Sequence, residues 1–275
     1  MDYFQAIVLG IVEGLTEFLP VSSTGHLTIA EQLLGLEVDD PAVTAYTAVI
    51  QMGAILAVVV YFFTDIWRIA KAWGTGLVKS EVRGTFDHRM GWYVIVGSLP
   101  IGIVGLLAKD LITGPLRSLW VVAFALILWS GVMLYAERRG LQQRGEKSLT
   151  MRDAIVVGLV QCVALIPGVS RSGATISTGL LVGLDRVAAT RLSFFLSIPA
   201  LFAAGLYELK DVVGSDIGIG QTIVGTVVSF VVAYVTVAWL LRFVAGHSIG
   251  KFVPYRVGLG LLLIVALSAG WITAT

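Results

Sequence analysis

Long apolar runs decide what this chain can fold into. They fall at about 3–19, 42–63, 91–108, 118–136, 153–166, 187–208, 219–243 and 253–272, and several reach the roughly 20 residues a helix needs to cross a bilayer. The 275 residues are 57% hydrophobic and 13% charged, against roughly 25% charge in an ordinary soluble domain. A soluble fold of this length would lack the charge to cover its surface. The chain therefore reads as an all-α polytopic membrane protein forming one integral membrane domain over 1–275. Its net charge of +1 argues against a nucleic-acid partner. The single Cys162 has no intrachain partner and is expected as a small core residue. Met1-Asp2-Tyr3 lacks the basic stretch that opens a signal peptide, so the first apolar segment is expected to be retained.

Two further apolar segments, 24–35 and 173–183, are too short to span. Each follows directly on a polar break rich in Pro, Gly and Ser: Glu13–His26 and Pro167–Thr175. That pattern predicts a helix entering the membrane, a broken tip and a short helix returning to the same side. Irregular backbone at membrane depth is tolerated only where it is buried in protein or lines a cavity. A polar cavity is therefore expected at the two breaks. About ten helical segments follow, as six full spans and two re-entrant pairs.

Basic residues set the orientation. The stretches 64–90 and 137–152 carry clusters such as Arg68, Lys71, Arg138 and Arg139, which places both in the cytoplasm. Loops 36–41, with Asp39 and Asp40, 109–117 and 209–218 are then external. Loop 244–252, flanked by Arg242 and Arg256, is internal. Both termini are expected outside. Segments 3–35 and 153–183 then enter from opposite faces. Their sequences also correspond: Gly10-Ile-Val-Glu13 resembles Gly158-Leu-Val-Gln161, and Ser22-Ser-Thr-Gly25 resembles Ser170-Arg-Ser-Gly173, both at an offset of 148. An inverted-topology repeat is expected, with halves at about 1–136 and 153–275 joined by a cytoplasmic loop 137–152. Such repeats place a site near the midplane.

Glu13 and Glu17 are four residues apart, on one helix face. Carboxylates inside a bilayer are functional by default. A close pair of them either shares a proton, makes a salt bridge or recruits a hard cation such as Mg²⁺ or Ca²⁺. Pro20 should end the first helix, and Ser22, Ser23 and Thr24 are capping types for the next. The helix N-terminus beginning near Gly25 can bind an anion. His26 beside hydroxyls and carboxylates suggests acid/base or ligand duty, and a Ser near a His offers a nucleophile and a base. The second break repeats the logic through Ser170, Ser172 and Gly173. Arg171 at its tip needs an anion at membrane depth, either a phosphate matched to its planar fork or Glu13 or Glu17. Together the groups suit phosphate or diphosphate attached to an apolar remainder. Gln51 and Gln161 either hydrogen-bond across helices or line the cavity. His88 and His247 are expected to be solvated in loops.

Glu13-Gly-Leu-Thr-Glu-Phe-Leu-Pro-Val-Ser-Ser-Thr-Gly-His26 and Pro167-Gly-Val-Ser-Arg-Ser-Gly-Ala-Thr175 resemble the two signature regions of the bacitracin-resistance type undecaprenyl-diphosphate phosphatases. The resemblance extends over essentially the whole chain. It implies hydrolysis of a polyprenyl (C55) diphosphate to the monophosphate, recycling the lipid carrier of cell-wall synthesis in the bacterial inner membrane. It also implies a divalent cation and a site opening to the outer face. By residue it implies Glu13 and Glu17 as the acidic, metal-holding pair, Ser23 as nucleophile, His26 as acid/base partner, Arg171 as phosphate clamp and Thr175 as a further contact. Ala174 stands where a serine is often found. Expected partners are the lipid substrate and the bilayer, with a homodimer left open. Attack by Ser23 and attack by a water activated by Glu17 or His26 both remain open. The rival class is a secondary transporter or a flippase of a lipid phosphate, since broken helices in inverted repeats also build carriers.

Overall fold

The computed structural model describes residues 1–38, 40–213 and 217–274. Asp39 and residues 214–216, within the expected loops 36–41 and 209–218, lie outside the described residues. Among the described residues no strand forms, and six helices are long and apolar enough to span a membrane. They are α3 (Pro41–Tyr61), α5 (Phe86–Leu107), α7 (Leu119–Arg139), α10 (Arg186–Val213, apolar over Arg186–Tyr207), α11 (Ile219–Gly246) and α12 (Val253–Ser268), whose span Ile249–Ser268 includes the helical turn that leads into it. The six coincide with the expected spans. Large side chains such as Phe4, Leu128 and Val235 stay exposed, as lipid-facing positions should. Ordinary soluble surfaces avoid apolar patches of that extent.

The remaining helices are shorter: α1 (Tyr3–Thr16), α2 (Ser23–Leu33), α4 (Phe63–Val78), α6 (Lys109–Thr113), α8 (Met151–Gln161) and α9 (Arg171–Leu181). α1 stops three residues short of the expected 19. Pro20 has no N–H to donate, and a proline pushes the residue before it out of helical geometry. α2 and α9 are 11 residues each, about 16 Å at 1.5 Å per residue, too short to cross a bilayer. Asp2 and Thr150 open α1 and α8 with the same reciprocal capping box, which satisfies orphan N–H groups at both starts.

The expected loop 64–90 is corrected by α4. Ile66, Ile69, Ala70 and Trp73 line one face of this helix, at the spacing of an amphipathic stripe, while Trp67 on the other face is exposed. His88 is not solvated. It lies on α5, 6% exposed, with its ring against Gly76, where an added Cβ would meet Nδ1 at 2.1 Å. Cys162 is only half-buried.

The helix pairing follows one rule. α3 packs on α10, and α7 on α12, while α1 packs on α11 and α8 on α5. Exchanging the first five long or broken elements with the last five leaves this scheme unchanged. The close approaches correspond too. A Cβ at Gly10 would sit 2.6 Å from the carbonyl oxygen of Gly225, and one at Gly158 would sit 2.2 Å from that of Gly97. Small residues here let backbones touch, the usual means of joining helices in lipid.

Candidate active site

Each tip is built around a serine in a conformation that serines rarely adopt. Ser22 has φ 78° and Ser170 has φ 77°, and the two lie 148 positions apart. A non-glycine residue there costs on the order of 1–3 kcal/mol and persists only when its surroundings enforce it. Here they do. The Gly25 and Gly168 amides donate to Ser22 Oγ, the second at 3.0 Å. The Gly173 amide donates to Ser170 Oγ at 3.1 Å. Both serines thereby cap the short helix that follows.

The tips are also tied to one another. Gly168 belongs to the second tip and Ser22 to the first. Ser172 Oγ donates to the Leu19 carbonyl at 2.8 Å. Below both lies Arg256, fully buried on α12. It donates to the carbonyl oxygens of Pro20, Gly168 and Val169 at 2.8, 2.9 and 3.1 Å, and to Ser130 Oγ at 3.1 Å. The positioning of Arg256 beside an internal loop is therefore corrected: it is a buried brace that joins the tips. Residue counting along loops could not show this. An arginine flanking an apolar run has the same sequence signature whether it points outward or inward.

Ser22, Ser23, Ser170 and Arg171 line a cavity of about 190 Å³ with Glu17 and Gln51. Glu17 is 5% exposed and receives donors from three separate elements. Arg171 Nη2 donates to Oε1 at 2.6 Å, while Ser23 Oγ and Gln51 Nε2 donate to Oε2 at 2.5 and 3.0 Å. The other terminal nitrogen, Arg171 Nη1, is buried and has no hydrogen-bond partner among the described residues. Ser23 and Arg171 are the first residues of α2 and α9, so each stands at a helix end that favours anions. The Ser23 hydroxyl can pass its proton to the Glu17 carboxylate and attack an electrophile. Beside it, the unused guanidinium arm can donate to the electrophile's oxygens.

The other expected residues divide. Thr24 lines the cavity and is exposed. Gly25 gives room for Val122, whose Cγ1 would lie 2.8 Å from an added Cβ. Thr175 faces away. Its hydroxyl donates to the Arg171 carbonyl at 2.8 Å and lies in hydrogen-bonding contact with Ser193 Oγ at 2.6 Å, so it steadies the first turn of α9. Ser172 serves the tip contact already described. His26 is turned toward α12 rather than the cavity. Its Nδ1 lies 2.7 Å from the Ser22 carbonyl, its Nε2 bonds Tyr255 Oη, and the two rings stack at 5.6 Å. Both ring nitrogens are thus engaged in holding the strained Ser22 turn.

Glu13 lies one turn before Glu17, whose amide donates to the Glu13 carbonyl at 2.9 Å. Its carboxylate is fully buried, and neither oxygen has a hydrogen-bond partner among the described residues. Among those residues no group of three His, Cys, Asp or Glu side chains converges as a ready metal cage. Two carboxylates, one of them unsatisfied, still suit a hard divalent cation that takes further oxygens from a phosphate. Gln161, the counterpart of Glu13, is likewise buried, and neither of its amide atoms has a hydrogen-bond partner among the described residues.

Comparison with known proteins adds a family and close relatives. The profile of the family described as bacitracin resistance protein BacA matches residues 6–262. The chain is 59% identical to undecaprenyl-diphosphatase 1 of Streptomyces avermitilis, over 97% of this chain and 96% of the relative. It is 60% identical to undecaprenyl-diphosphatase 1 of Streptomyces coelicolor over the same shares. With undecaprenyl-diphosphatase 3 of Frankia casuarinae it shares 56% identity over the whole of both chains.

Proposed function

The chain belongs to the bacitracin resistance protein BacA family, and on that premise we propose that it is a membrane phosphatase converting undecaprenyl diphosphate to the monophosphate. The product is the lipid carrier that cell-wall synthesis reuses. One observation carries the chemistry: Glu17 binds Ser23 and Arg171 through its two different oxygens.

The prenyl tail stays among the lipid-facing helices while the diphosphate enters between the tips. Arg171 Nη1, with the N-termini of α2 and α9, holds the terminal phosphate, the electrostatic stabilisation that phosphoryl transfer depends on. Ser23 Oγ forms a bond to the terminal phosphorus, and Glu17 takes the hydroxyl proton. The bridging P–O bond breaks and undecaprenyl phosphate leaves. Water then attacks the phosphoserine, its own proton leaving with orthophosphate, and Glu17 returns its proton to Ser23. Glu13 and Glu17 are the residues that would hold a divalent cation, Mg²⁺ or Ca²⁺, which when bound offsets phosphate charge. Direct attack by water is the alternative, and the 2.5 Å Ser23–Glu17 contact favours serine. His26 is a positioning residue in this scheme, because its ring supports Ser22 rather than the cavity.

The proposed setting is the bacterial inner membrane, with an inverted repeat, both termini and the site on the outer face. The matched left-handed serines and the interchangeable helix pairing support the repeat. The basic clusters of 64–90 and 137–152 support the orientation. A membrane-impermeant thiol reagent should label Thr24→Cys from outside, and labelling from the cytoplasmic side alone would reverse the assignment. For activity, purified protein in detergent should release orthophosphate from undecaprenyl diphosphate, lose that activity on chelation, and lose it again in Ser23→Ala. A transporter would release none, since transport changes no bond.

A further inference from the structure

A second cavity of about 180 Å³ adjoins the first and shares Ser23, Thr24, Gln51 and Pro167 with it. Its far wall holds an ion pair that the mechanism above does not use. Glu31, near the end of α2, is fully buried, and Arg117, just before α7, is 7% exposed. Arg117 Nη2 lies 3.4 Å from Glu31 Oε2, and Nη1 bonds the Thr44 hydroxyl. Both members are left incomplete. Arg117 Nε and Glu31 Oε1 have no partner among the described residues. Thr28 and Thr47 line the same space.

A buried pair this long is a poor structural fastening. Removing charges from water costs several kcal/mol per ion, on the order of magnitude that only close, fully hydrogen-bonded pairs recover. Here a donor and an acceptor each remain unmet, which adds a further cost for each. The arrangement becomes complete with a guest that both accepts and donates. Monoprotonated or diprotonated phosphate does so: its oxygens accept from Arg117 Nε, and its P–OH donates to Glu31 Oε1. The space also admits accompanying water, at about 30 Å³ per molecule.

We propose that the Glu31–Arg117 cavity is a second phosphate-binding site that receives orthophosphate as it leaves Ser23. The net neutrality of the pair suits an exit: it recognises the ion through geometry without holding it as a lone arginine would. Gln51 and Thr24, common to both cavities, form the path between them. Ser23 at the junction is the point from which the product departs. The proposal rests on the phosphatase reading for the source of the ion, but not for its binding.

Binding can be read without turnover, from the rise in melting temperature that inorganic phosphate gives the purified protein, since a ligand of the folded state stabilises it. In Arg171→Gln the catalytic clamp is gone, and inorganic phosphate should still raise the melting temperature. Adding Arg117→Gln to it should abolish that rise. Thr47→Val in the same background keeps the ion pair but removes a cavity-wall hydroxyl whose proton goes to the Thr44 carbonyl and whose oxygen is free to accept from a P–OH, and should weaken the apparent phosphate affinity by about tenfold. Loss of the rise in Arg171→Gln alone would overturn the proposal, as would its survival when Arg117→Gln is added or an unweakened affinity when Thr47→Val is added. Undecaprenyl monophosphate supplied instead should give no Arg117-dependent rise. Such a rise exceeding that of inorganic phosphate would make this a lipid-headgroup site and overturn the exit role. If the wild type hydrolysed no undecaprenyl diphosphate, the phosphatase reading would fail while these melting shifts still judged the site.

Discussion

Ser23 and Arg171 occupy the same position in two different helices and bind opposite oxygens of one carboxylate. Each is the first residue of its short helix, α2 or α9. Each follows a serine with positive φ. Glu17 accepts from Ser23 at 2.5 Å and from Arg171 at 2.6 Å. The tips are thus alike in backbone and unlike in chemistry, and Glu17 is where the difference is brought together.

Arg171→Lys should lower kcat by about 100- to 1,000-fold, the effect of losing a preorganised donor to the reacting phosphate. A lysine has the charge but not the fork, so it cannot bind Glu17 and present a second fixed nitrogen. Phosphate release from undecaprenyl diphosphate measures this. Wild-type kcat in the lysine variant would remove Arg171 Nη1 from the mechanism.

Gln51→Leu removes a 3.0 Å donor from Glu17 without touching Ser23 or Arg171. A hydrogen bond to a charged group is worth about 1.5–3 kcal/mol, so activity should fall roughly 10- to 100-fold. The same assay on Gln51→Leu tests it, and an unchanged rate would show that Glu17 needs only its other two partners.

Arg256→Met should destabilise the protein by about 3 kcal/mol or more, because three buried carbonyl oxygens lose their donor at about 1–3 kcal/mol each. Thermal unfolding in detergent reads the loss. A thiol placed at Val169 should also become reactive faster in this variant. A full melting temperature with unchanged reactivity would contradict the bracing role.

Gly158→Ala should cost about 1–3 kcal/mol, the usual penalty of overpacking. The new Cβ would lie 2.2 Å from the Gly97 carbonyl oxygen, and backbone cannot swing aside as a side chain can. An alanine variant as stable as wild type would mean that α5 and α8 slide apart freely.

Asp153, at the start of α8, sits in a charged network outside the spans. Burial raises its pKa, but the hydrogen bonds from Arg144 and Thr150 outweigh burial and leave it below the ordinary carboxylate value. Arg144 reaches both carboxylate oxygens, at 3.1 and 2.6 Å. A lowered folded pKa gives stability that is present above the ordinary value, about 3.9, and lost as pH falls through the lowered one. Asp153→Asn should therefore be less stable than wild type at neutral pH, and the gap should close in strong acid. Unfolding curves against pH check this. A constant gap at every pH would assign the loss to something other than ionisation.

The spans and both tips were legible in the sequence because their signals are local. Apolar length marks α3 and α10, Pro20 and Pro167 mark the breaks, and the Ser22 and Ser170 motifs mark the caps. Glu17 and Arg171 were legible as buried charges that needed partners. What escaped were relationships set by distant chain segments. Arg256 looked like a loop charge because only packing turns it inward. His26 looked like an acid/base group, while the structure spends its two nitrogens on Ser22 and Tyr255. The amphipathic stripe of α4 was readable at Ile66, Ile69 and Trp73, but the basic residues around it gave the stronger impression of a loop.

Arg256 also has a consequence for timing. The chain is made from its N-terminus, so both tips exist before the residue that braces them. A nascent protein threaded into the membrane as far as α11 already has Glu17, Ser23 and Arg171, yet the Pro20, Gly168 and Val169 carbonyls still await their donor. Placement of α12 is then the step that joins the two tips, because Arg256 is the donor those three carbonyls share.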